Sequence, residues 1–360
     1  MRTVIPIVFA VVATVLHGDT EQPNVKLGPH APRDLAVGPE MVATGAILRD
    51  SEFVGQDLRM AEFDRTDLAA VRFHQCNLSR SSFVGARLTG AIIDDCDLES
   101  CNFTDAIVNG LVPAGRTSDH ECLSVAQLKS TRSYRSKDLS NCSILGSENS
   151  QEPCGYDFRN ANLTNANLLR GDFTSCKFAN ARIQGARIGG RITAHQLAST
   201  DDYTKRWLQN IRFVGQIDGL VNFKGIRFLG CTFGVRNQYQ FDHAWFEKCN
   251  FHGSIDGKQL LVSRNYKQGN LSGMRFSEID FSDFDFSRIN LTDCAFTNCD
   301  FHDAQMNDAV ITGISFIQCK GLTREQIKTT WNFKQDRLDG ILLPRFPSSS
   351  QKQKDGLLSY

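Results

Sequence analysis

The sequence predicts an all-β solenoid, in which the chain winds into a stack of similar coils. A large apolar residue recurs at every fifth position from Leu48 to Val108, and like residues recur at intervals of twenty, as in Phe63, Phe83 and Phe103. A period of five fits neither a strand, with a period of about two, nor a continued helix, with about 3.6. It indicates a coil that turns a corner every five residues. Like residues on successive coils then lie about 4.8 Å apart, the distance between paired strands.

The composition excludes some classes of function and identifies the residue that fills the coils. The chain has 360 residues, with 40 Lys and Arg against 40 Asp and Glu. Binding to nucleic acid or to an anionic membrane usually needs a basic excess, so neither is expected. Twenty-five Phe stand beside only 3 Trp and 6 Tyr. All but four of the Phe occupy the large position of the repeat, the exceptions being Phe9, Phe284, Phe333 and Phe346.

The first element, residues 1–18, is predicted to be a signal peptide. Arg2 precedes an apolar run from Val4 to Leu16, which is shorter than the roughly 20 residues that cross a bilayer as a helix. We therefore expect an exported protein, periplasmic, cell-surface or secreted, with no transmembrane helix beyond this leader. Leu16 is too large for a good cleavage site, so a cytoplasmic or N-terminally anchored protein is the alternative. Residues 19–44 contain four prolines and no periodicity, which predicts a linker.

The five-residue unit has a sequence of its own. A small residue stands two positions before nearly every large one, where it lets the corner close while the large residue fills the axis. Ala161-Asn162-Leu163 and Ala166-Asn167-Leu168 stand five residues apart and match A-(D/N)-L-x-x, the consensus of the pentapeptide-repeat family. The chain resembles this family over most of residues 46–340.

The resemblance implies a right-handed, quadrilateral β-helix with four pentapeptides per coil, over residues 45–341. The repeat stops and restarts along the chain, so we expect coil blocks at 46–110, 139–190, 208–254 and 271–320. The third block is the least regular, because Phe233 and Phe241 are eight residues apart. Residues 342–360, with two prolines and three consecutive serines, predict a flexible tail.

A second, longer repeat lies between the coil blocks. Its first copy reads Leu123-Ser124-x-x-Gln127-Leu128 and leads to Tyr134. Ser, Thr or Asp followed three residues later by Gln is a helix-capping box. We therefore predict four short helical elements, in which the Tyr or Phe is a packing wedge and not a ligand contact; the last element is expected to cover the open end of the solenoid. The elements span 123–134, 192–203, 255–266 and 322–333.

Cysteine follows the same register as the small residues. Ten of the 12 Cys stand two positions before a large residue, and only Cys122 and Cys154 do not. We expect small buried thiols and not a disulfide framework. Two pairs are twenty residues apart and would stack within disulfide distance, although their parallel side chains oppose a bond. These pairs are Cys76 with Cys96 and Cys299 with Cys319.

No catalytic, cofactor-binding or metal-binding residue is predicted. The chain lacks GxSxG, HExxH, P-loop and CxxC motifs. The sets His120-Glu121-Cys122 and His243…Cys249…His252 do not have the spacing of zinc sites. Asp280, Asp283 and Asp285 lack the glycine turn and distal Glu of a calcium loop.

Three functions are compatible with the sequence. The first is a non-enzymatic exported scaffold that binds another protein or an envelope component. The second, a cytoplasmic DNA-mimic modulator of DNA gyrase or topoisomerase, follows from the resemblance and from two acidic segments, since residues 46–110 carry 11 acids against 6 bases and 271–319 carry 8 against 2. The third is an enzyme, which would have to build its site from the irregular segments 145–157 or 234–240. The first is preferred.

Overall fold

The computed structural model describes residues 25–113, 123–146, 154–168, 171–234, 238–253, 255, 257–338 and 340–343. Its strands are short, and most of them pair in parallel with a strand of the next coil. In chain order they are β1 (Val25–Lys26), β2 (Glu52–Val54), β3 (Arg72–His74), β4 (Ile92–Asp94), β5 (Val112–Pro113), β6 (Ser143–Ile144), β7 (Asn167–Leu168), β8 (Arg187–Ile188), β9 (Ile192–Thr193), β10 (Trp207–Gln209), β11 (Arg212–Phe213), β12 (Ile217–Asp218), β13 (Val221–Asn222), β14 (Arg227–Leu229), β15 (Thr232–Phe233), β16 (Tyr239–Gln240), β17 (Trp245–Glu247), β18 (Asn250–His252), β19 (Arg275–Ser277), β20 (Ala295–Thr297) and β21 (Ser315–Ile317).

Each coil of the first block has four pentapeptide sides that pair with the coil above. On one side β2 pairs with β3, so that Phe53 faces Phe73 twenty residues later. The other three sides pair through single bridges, Ile47 with Asp67, Asp57 with Asn77 and Glu62 with Ser82. The predicted twenty-residue coil is therefore confirmed.

The large inward residues form columns along the axis. The rings of Phe63 and Phe83 are 5.1 Å apart and nearly parallel, and those of Phe83 and Phe103 are 4.8 Å apart. All three are fully buried. Because a solenoid has no second layer, these columns are the whole core, and each coil is stabilised chiefly by its two neighbours.

The solenoid continues through the boundary between the first two blocks. Nine strands, from β6 to β21, form one sheet that runs through the second, third and fourth blocks. The Ser143 amide donates to the Leu111 carbonyl at 3.2 Å, which joins this sheet to the end of the first block. The coils thus form one stack from the first block to the last.

The predicted linker differs from the structure in its described part, residues 25–44. Val42 pairs with Glu62, and Met41 and Ala43 are buried, so the first coil begins one pentapeptide before the expected start. Before it, β1 runs antiparallel to β2 and covers the open edge of that coil. The prolines signalled a break in periodicity, and this segment is nevertheless packed because it closes the end of the stack.

Most corners use a left-handed backbone. The second residue after most of the large ones has a positive φ, for example 59° at Met60, 55° at Ala70 and 57° at Asn165. L-residues adopt this conformation at a cost, and Gly, Asn and Asp adopt it most readily.

The helical insertions are pairs of short helices, where single helices were expected. An extended residue ends the first helix and caps the second: Thr131 has ψ 153° and its hydroxyl accepts from the Tyr134 amide. The pairs are α1 (Val125–Ser130) with α2 (Arg132–Arg135), α3 (Ala194–Ala198) with α4 (Asp201–Thr204), a 3-10 helix (Gly257–Leu260) with α5 (Arg264–Lys267), and α6 (Arg324–Lys328) with α7 (Trp331–Lys334).

Capping boxes are present at the first helix of three pairs, where Gln127, Gln196 and Gln326 are the N3 residues. The cap residue expected in the third pair, Asp256, lies outside the described residues. The Gln side chains have a second role, since their amide nitrogens donate to carbonyls of the coil below. Gln196 Nε2 lies 2.9 Å from the carbonyl oxygens of Phe173 and Thr174.

The second helix of each pair docks on the coil through its second residue. Asn265 Oδ1 accepts from the Phe246 amide at 2.7 Å, and Asn332 Oδ1 accepts from the Ile311 amide at the same distance. The next residue is the predicted wedge: the Tyr134 hydroxyl accepts from the Asp157 amide, and the Tyr266 hydroxyl donates to the Asp285 carbonyl. The wedge prediction is therefore confirmed at these positions.

The cysteines predicted to face inward do so. Nine of the ten are buried and Cys319 is half-buried, while burial raises the pKa of the Cys101 and Cys142 thiols to about 12. Cys154, expected outside this register, is also buried, since the chain re-enters the stack with Tyr156 in the small position and turns Cys154 inward beside it. Cys122 lies outside the described residues.

The predicted leader and most of the predicted tail also lie outside the described residues. The start of that tail differs from expectation, because Leu342 still pairs with Ser315 on the last coil. Among the helices that the structure describes, none combines the length and apolar character needed to cross a bilayer.

Candidate binding surface at the third insertion

Aromatic and guanidinium groups alternate on one outer face of the third block. Strands β10, β14 and β17 pair in parallel and place Trp207, Arg227 and Trp245 in line. The Arg227 guanidinium carbon lies 5.0 Å from the Trp207 ring centre and 5.6 Å from that of Trp245. Arg264, on α5, continues the line at 4.7 Å from Trp245. These four residues are called the Trp–Arg ladder.

The ladder is partly exposed. Trp207 has 46% of its surface accessible, and Trp245 is half-buried. Arg227 lies between the two indoles and also pairs with Glu247 at 3.1 Å. Each exposed cation–π contact contributes about 0.5–1 kcal/mol. The ladder therefore presents aromatic surface whose orientation is favoured by its own contacts.

A groove lies on the other side of α5. It has a volume of about 1020 Å³, and its apolar lining includes Leu220, Leu261, Tyr266 and Phe284. Leu220 is 52% exposed, a high value for leucine. Three carboxylates lie along the groove, those of Asp280, Asp283 and Asp285.

The local backbone explains why α5 separates these two features. Ser263 caps the helix and Asn265 points into the coil, where it donates to the Phe246 carbonyl at 2.9 Å and accepts from its amide. The residues on either side of Asn265 must then leave in other directions. Arg264 goes to the ladder and Tyr266 goes to the groove.

The carboxylates of the groove are partly committed to the protein itself. A hydrogen bond from Ser282 lowers the pKa of Asp280, whose Oδ1 accepts from the Ser282 amide at 2.9 Å. Asp285 Oδ1 accepts from the Ser287 amide at 2.8 Å. Their other carboxylate oxygens give the groove an acidic rim.

Two of the metal-ligand sets considered from the sequence lie within the described residues, and neither is brought together. Cys249 is buried, whereas His252 is exposed and lies 3.9 Å from Glu278. The set around His120 falls outside the described residues. Asp280, Asp283 and Asp285 line the groove without converging on one point.

A different group does converge. The donor atoms of His74, Asp94 and Asp95 lie within 4.8 Å of one another, and within the part of the chain that is described they form the sole group of this kind. His74 and Asp94 are register partners, with His74 Nδ1 2.8 Å from Asp94 Oδ2. This contact is a hydrogen bond between register partners on adjacent coils, and we assign it a structural role.

Sequence reasoning missed the Trp–Arg ladder. Trp207, Arg227 and Trp245 all stand one position before a large inward residue, so each points outward on an aligned side. The available signal was that two of the chain's three Trp occupy this outward position. The outer face was assessed by charge alone, and cation–aromatic alternation is invisible to a count of charges.

The comparisons with known proteins concern the fold. No curated protein matches the chain. Among solved structures, the chain is similar to HetL, a pentapeptide repeat protein involved in heterocyst differentiation regulation from the cyanobacterium Nostoc sp. strain PCC 7120, with 14% identity over 77% of this chain and 83% of HetL and a TM-score of 0.20. It is also similar to full-length QnrB1, a plasmid-mediated fluoroquinolone resistance protein, with 15% identity over 79% of this chain and 95% of QnrB1 and a TM-score of 0.17.

The family comparison agrees with the coil register. Eight copies of the pentapeptide-repeat model match, in residues 66–105, 157–190 and 270–313. The matched segments lie in the first, second and fourth blocks, and the third block, which carries the ladder, is outside them. With its twenty-residue coils and its repeated consensus, the chain belongs to the pentapeptide-repeat family.

Proposed function

We propose that the protein is a non-enzymatic, exported scaffold that binds another protein through the Trp–Arg ladder and the adjacent groove. The observation that carries the proposal is the exposed alternation of Trp207, Arg227, Trp245 and Arg264 on paired strands. Trp and Arg are the residues most enriched among those that dominate protein-binding energy. Here their side chains already contact one another, which favours the arrangement that presents them and reduces the conformational entropy lost on binding.

The groove indicates the chemistry of the partner. Its apolar lining fits an apolar side chain, and its acidic rim attracts a basic one. We therefore expect a partner segment with Lys or Arg next to an aromatic or aliphatic residue. Leu220 and Leu261 together leave apolar surface uncovered, which is typical of a contact surface.

The non-enzymatic part of the proposal is supported by how the side chains are used. The repeated residues fill the axis of the coils, and the groove carboxylates accept hydrogen bonds from neighbouring backbone amides. Around the groove, within the described residues, Tyr239, Tyr266 and Ser282 carry the hydroxyl groups, and the Tyr266 hydroxyl donates to the Asp285 carbonyl. We propose export on the pattern of residues 1–18, which makes an envelope protein the expected partner.

The test is cross-linking capture from envelope extract, with the ladder as the variable. The full chain, a W207A/W245A double variant and a Met60→Ala control are compared; Met60 is as exposed as Trp207 but lies on the first block. A protein captured by the full chain and by the control, and lost with the double variant, supports the proposal. Capture that is absent, or that survives loss of both indoles, contradicts it.

The gyrase-modulator alternative makes a different prediction. It requires cytoplasmic fractionation and an effect on DNA supercoiling. The acids of the fourth block are partly neutralised, since Asp300 pairs with His302 and Lys320, and Asp308 pairs with Lys334. Their pattern is thereby less like that of a phosphate backbone. Inhibition or protection of gyrase by the purified protein would favour the alternative over the scaffold.

A further inference from the structure

One pair of thiols is placed unlike the others. Cys154 Sγ lies 3.0 Å from Cys176 Sγ, and both residues are buried. The register partner of Cys176 is Tyr156, because the Lys177 amide donates to the Tyr156 carbonyl. Cys154 is therefore two residues out of register with Cys176 and approaches it from the side.

The stacked cysteines elsewhere have a different geometry. In register, two side chains leave the backbone in the same direction, which opposes the roughly 90° torsion of a disulfide. Their thiols also contact backbone oxygens of the coil below: Cys76 Sγ lies 3.3 Å from the Phe53 carbonyl, and Cys299 Sγ lies 3.6 Å from that of Phe276. The thiols of the stacked pairs, Cys76 with Cys96 and Cys299 with Cys319, interact with each other in register, whereas Cys154 and Cys176 meet out of register.

We propose that Cys154 and Cys176 form a disulfide when the protein folds in an oxidising compartment. One thiolate attacks the disulfide of an oxidant, either oxidised glutathione or a protein disulfide oxidase, and displaces one of its sulfurs. The second thiolate then displaces the oxidant from this mixed disulfide. One S–S bond forms in the protein and one breaks in the oxidant; the protein loses two S–H bonds, and the oxidant takes up the two electrons and, through solvent, the two protons, so that it leaves as a dithiol or two thiols.

The bond would hold the chain at residue 154, where the second block continues after the segment 147–153. It would tie residue 154 to the next coil, where the Gly155 amide already donates to Ser175 Oγ at 3.1 Å. The Cys154 carbonyl also accepts a hydrogen bond from Lys129 Nζ of α1 at 2.9 Å. The sulfurs need to approach by only about 1 Å to reach bonding distance. Because both are buried, the bond forms during folding and not on the finished solenoid.

In the cell this inference rests on the proposed export, but the chemistry is tested without it. The reduced, unfolded full chain is refolded in a mixture of reduced and oxidised glutathione, alkylated, and digested with trypsin. We expect the intact mass to fall by two hydrogen atoms before alkylation and peptide 138–159 to be joined to 171–177. Fragmentation of the joined peptides assigns the bond to Cys154, since Cys142 lies in the same peptide.

Alkylation of both residues after refolding, or a bond between other cysteines, overturns the inference. The unsubstituted chain supplies this readout, so it does not depend on a variant that fails to fold. A Cys176→Ser variant should lose the joined peptide and a Cys299→Ser variant should keep it. Oxidation in glutathione together with cytoplasmic fractionation would overturn the export proposal and leave the disulfide standing.

Discussion

At the scale of single residues, the corners of the coils depend on the fifth residue of each repeat. None of the non-glycine residues described with positive φ is β-branched, although they include Asp, Asn, Arg, Met and Ala. Branching at Cβ adds steric conflict in the left-handed region. The repeat pattern alone describes only the small and the large position of the five-residue unit. The absence of Val, Ile and Thr was the signal for its backbone conformation.

We predict that Gly55→Val lowers the free energy of unfolding by about 1–3 kcal/mol through backbone strain alone. Gly55 has φ 63° and open space around its Cβ position. Gly38→Val is the matched control, since Gly38 has equally open space without a positive φ. Guanidinium titration of both variants measures the difference. Equal stability of the two variants would show that the corner tolerates branching.

The outward charges show the limit of register arguments. Twenty-residue spacing suggests the pairs Glu52 with Arg72, Asp67 with Arg87 and Asp157 with Lys177. The first forms, at 3.8 Å. Asp67 instead pairs with Arg49, and Asp157 with Arg159 two residues along its own strand. Long exposed side chains choose among several partners of nearly equal energy, so spacing alone does not decide them.

At the scale of elements, the insertions use glutamine where a capping box usually has glutamate. Gln196 Oε1 accepts from the Thr193 amide, while Nε2 donates to the coil carbonyls. A carboxylate could supply the first contact but not the second. The sequence reasoning found the box, but it gave no reason for the amide and missed the second helix. That helix has its own four-residue pattern. The first residue is Ser or Thr, the second is any residue, the third is Ser, Asp or Asn, and the fourth is Tyr or Phe.

We predict that Gln196→Glu destabilises the protein by about 1–3 kcal/mol, because buried carbonyls lose their donor and face a negative charge. Gln196 is only 8% exposed. Gln335→Glu, on the surface after α7, is the control and should change stability by less than about 0.5 kcal/mol. Thermal denaturation followed by circular dichroism provides the comparison. If Gln196→Glu leaves the melting temperature unchanged, the amide donor contributes nothing to stability.

At the scale of the whole molecule, the features that could be predicted from the sequence are those that repeat along it. The core register and the coil length could be predicted because every coil repeats them, as the columns through Phe63 and Leu58 do. The ends of the stack were misplaced because each occurs once, as Val42 and Leu342 show. The ladder and the pair of Cys154 with Cys176 occur once. Their contacts depend on how neighbouring coils are offset at one place in the stack, and no second copy in the sequence shows that offset.

We predict that acid weakens the entire stack. Hydrogen bonds from Arg59, Arg159, Ser282 and Lys334 lower the pKa of Asp57, Asp157, Asp280 and Asp308 respectively. Groups with a depressed folded pKa stabilise the protein above their unfolded value and lose this contribution as the pH falls through the folded pKa. The melting temperature should therefore hold from pH 7 to about 5 and fall below about 4.

The acid effect has a variant control. Asp157→Asn should melt lower than the parent at pH 7 and show a smaller drop between pH 5 and 3, because its carboxylate no longer titrates. Added salt should shrink the drop for these exposed pairs. A melting temperature that rises on acidification would contradict the assignment.

The antiparallel strand β1 affects whether copies of the protein can stack end to end. A stack of parallel coils ends in unpaired backbone groups, and a second molecule could seat its own last coil there and extend the stack without limit. Because β1 lies against Glu52 and Phe53 in the opposite direction, the exposed edge no longer matches a parallel coil. At the other end, Leu342 and helix α7 occupy the last coil. Both ends of the described stack are thus covered by segments that do not continue the parallel pairing on which a fibre of coils would grow.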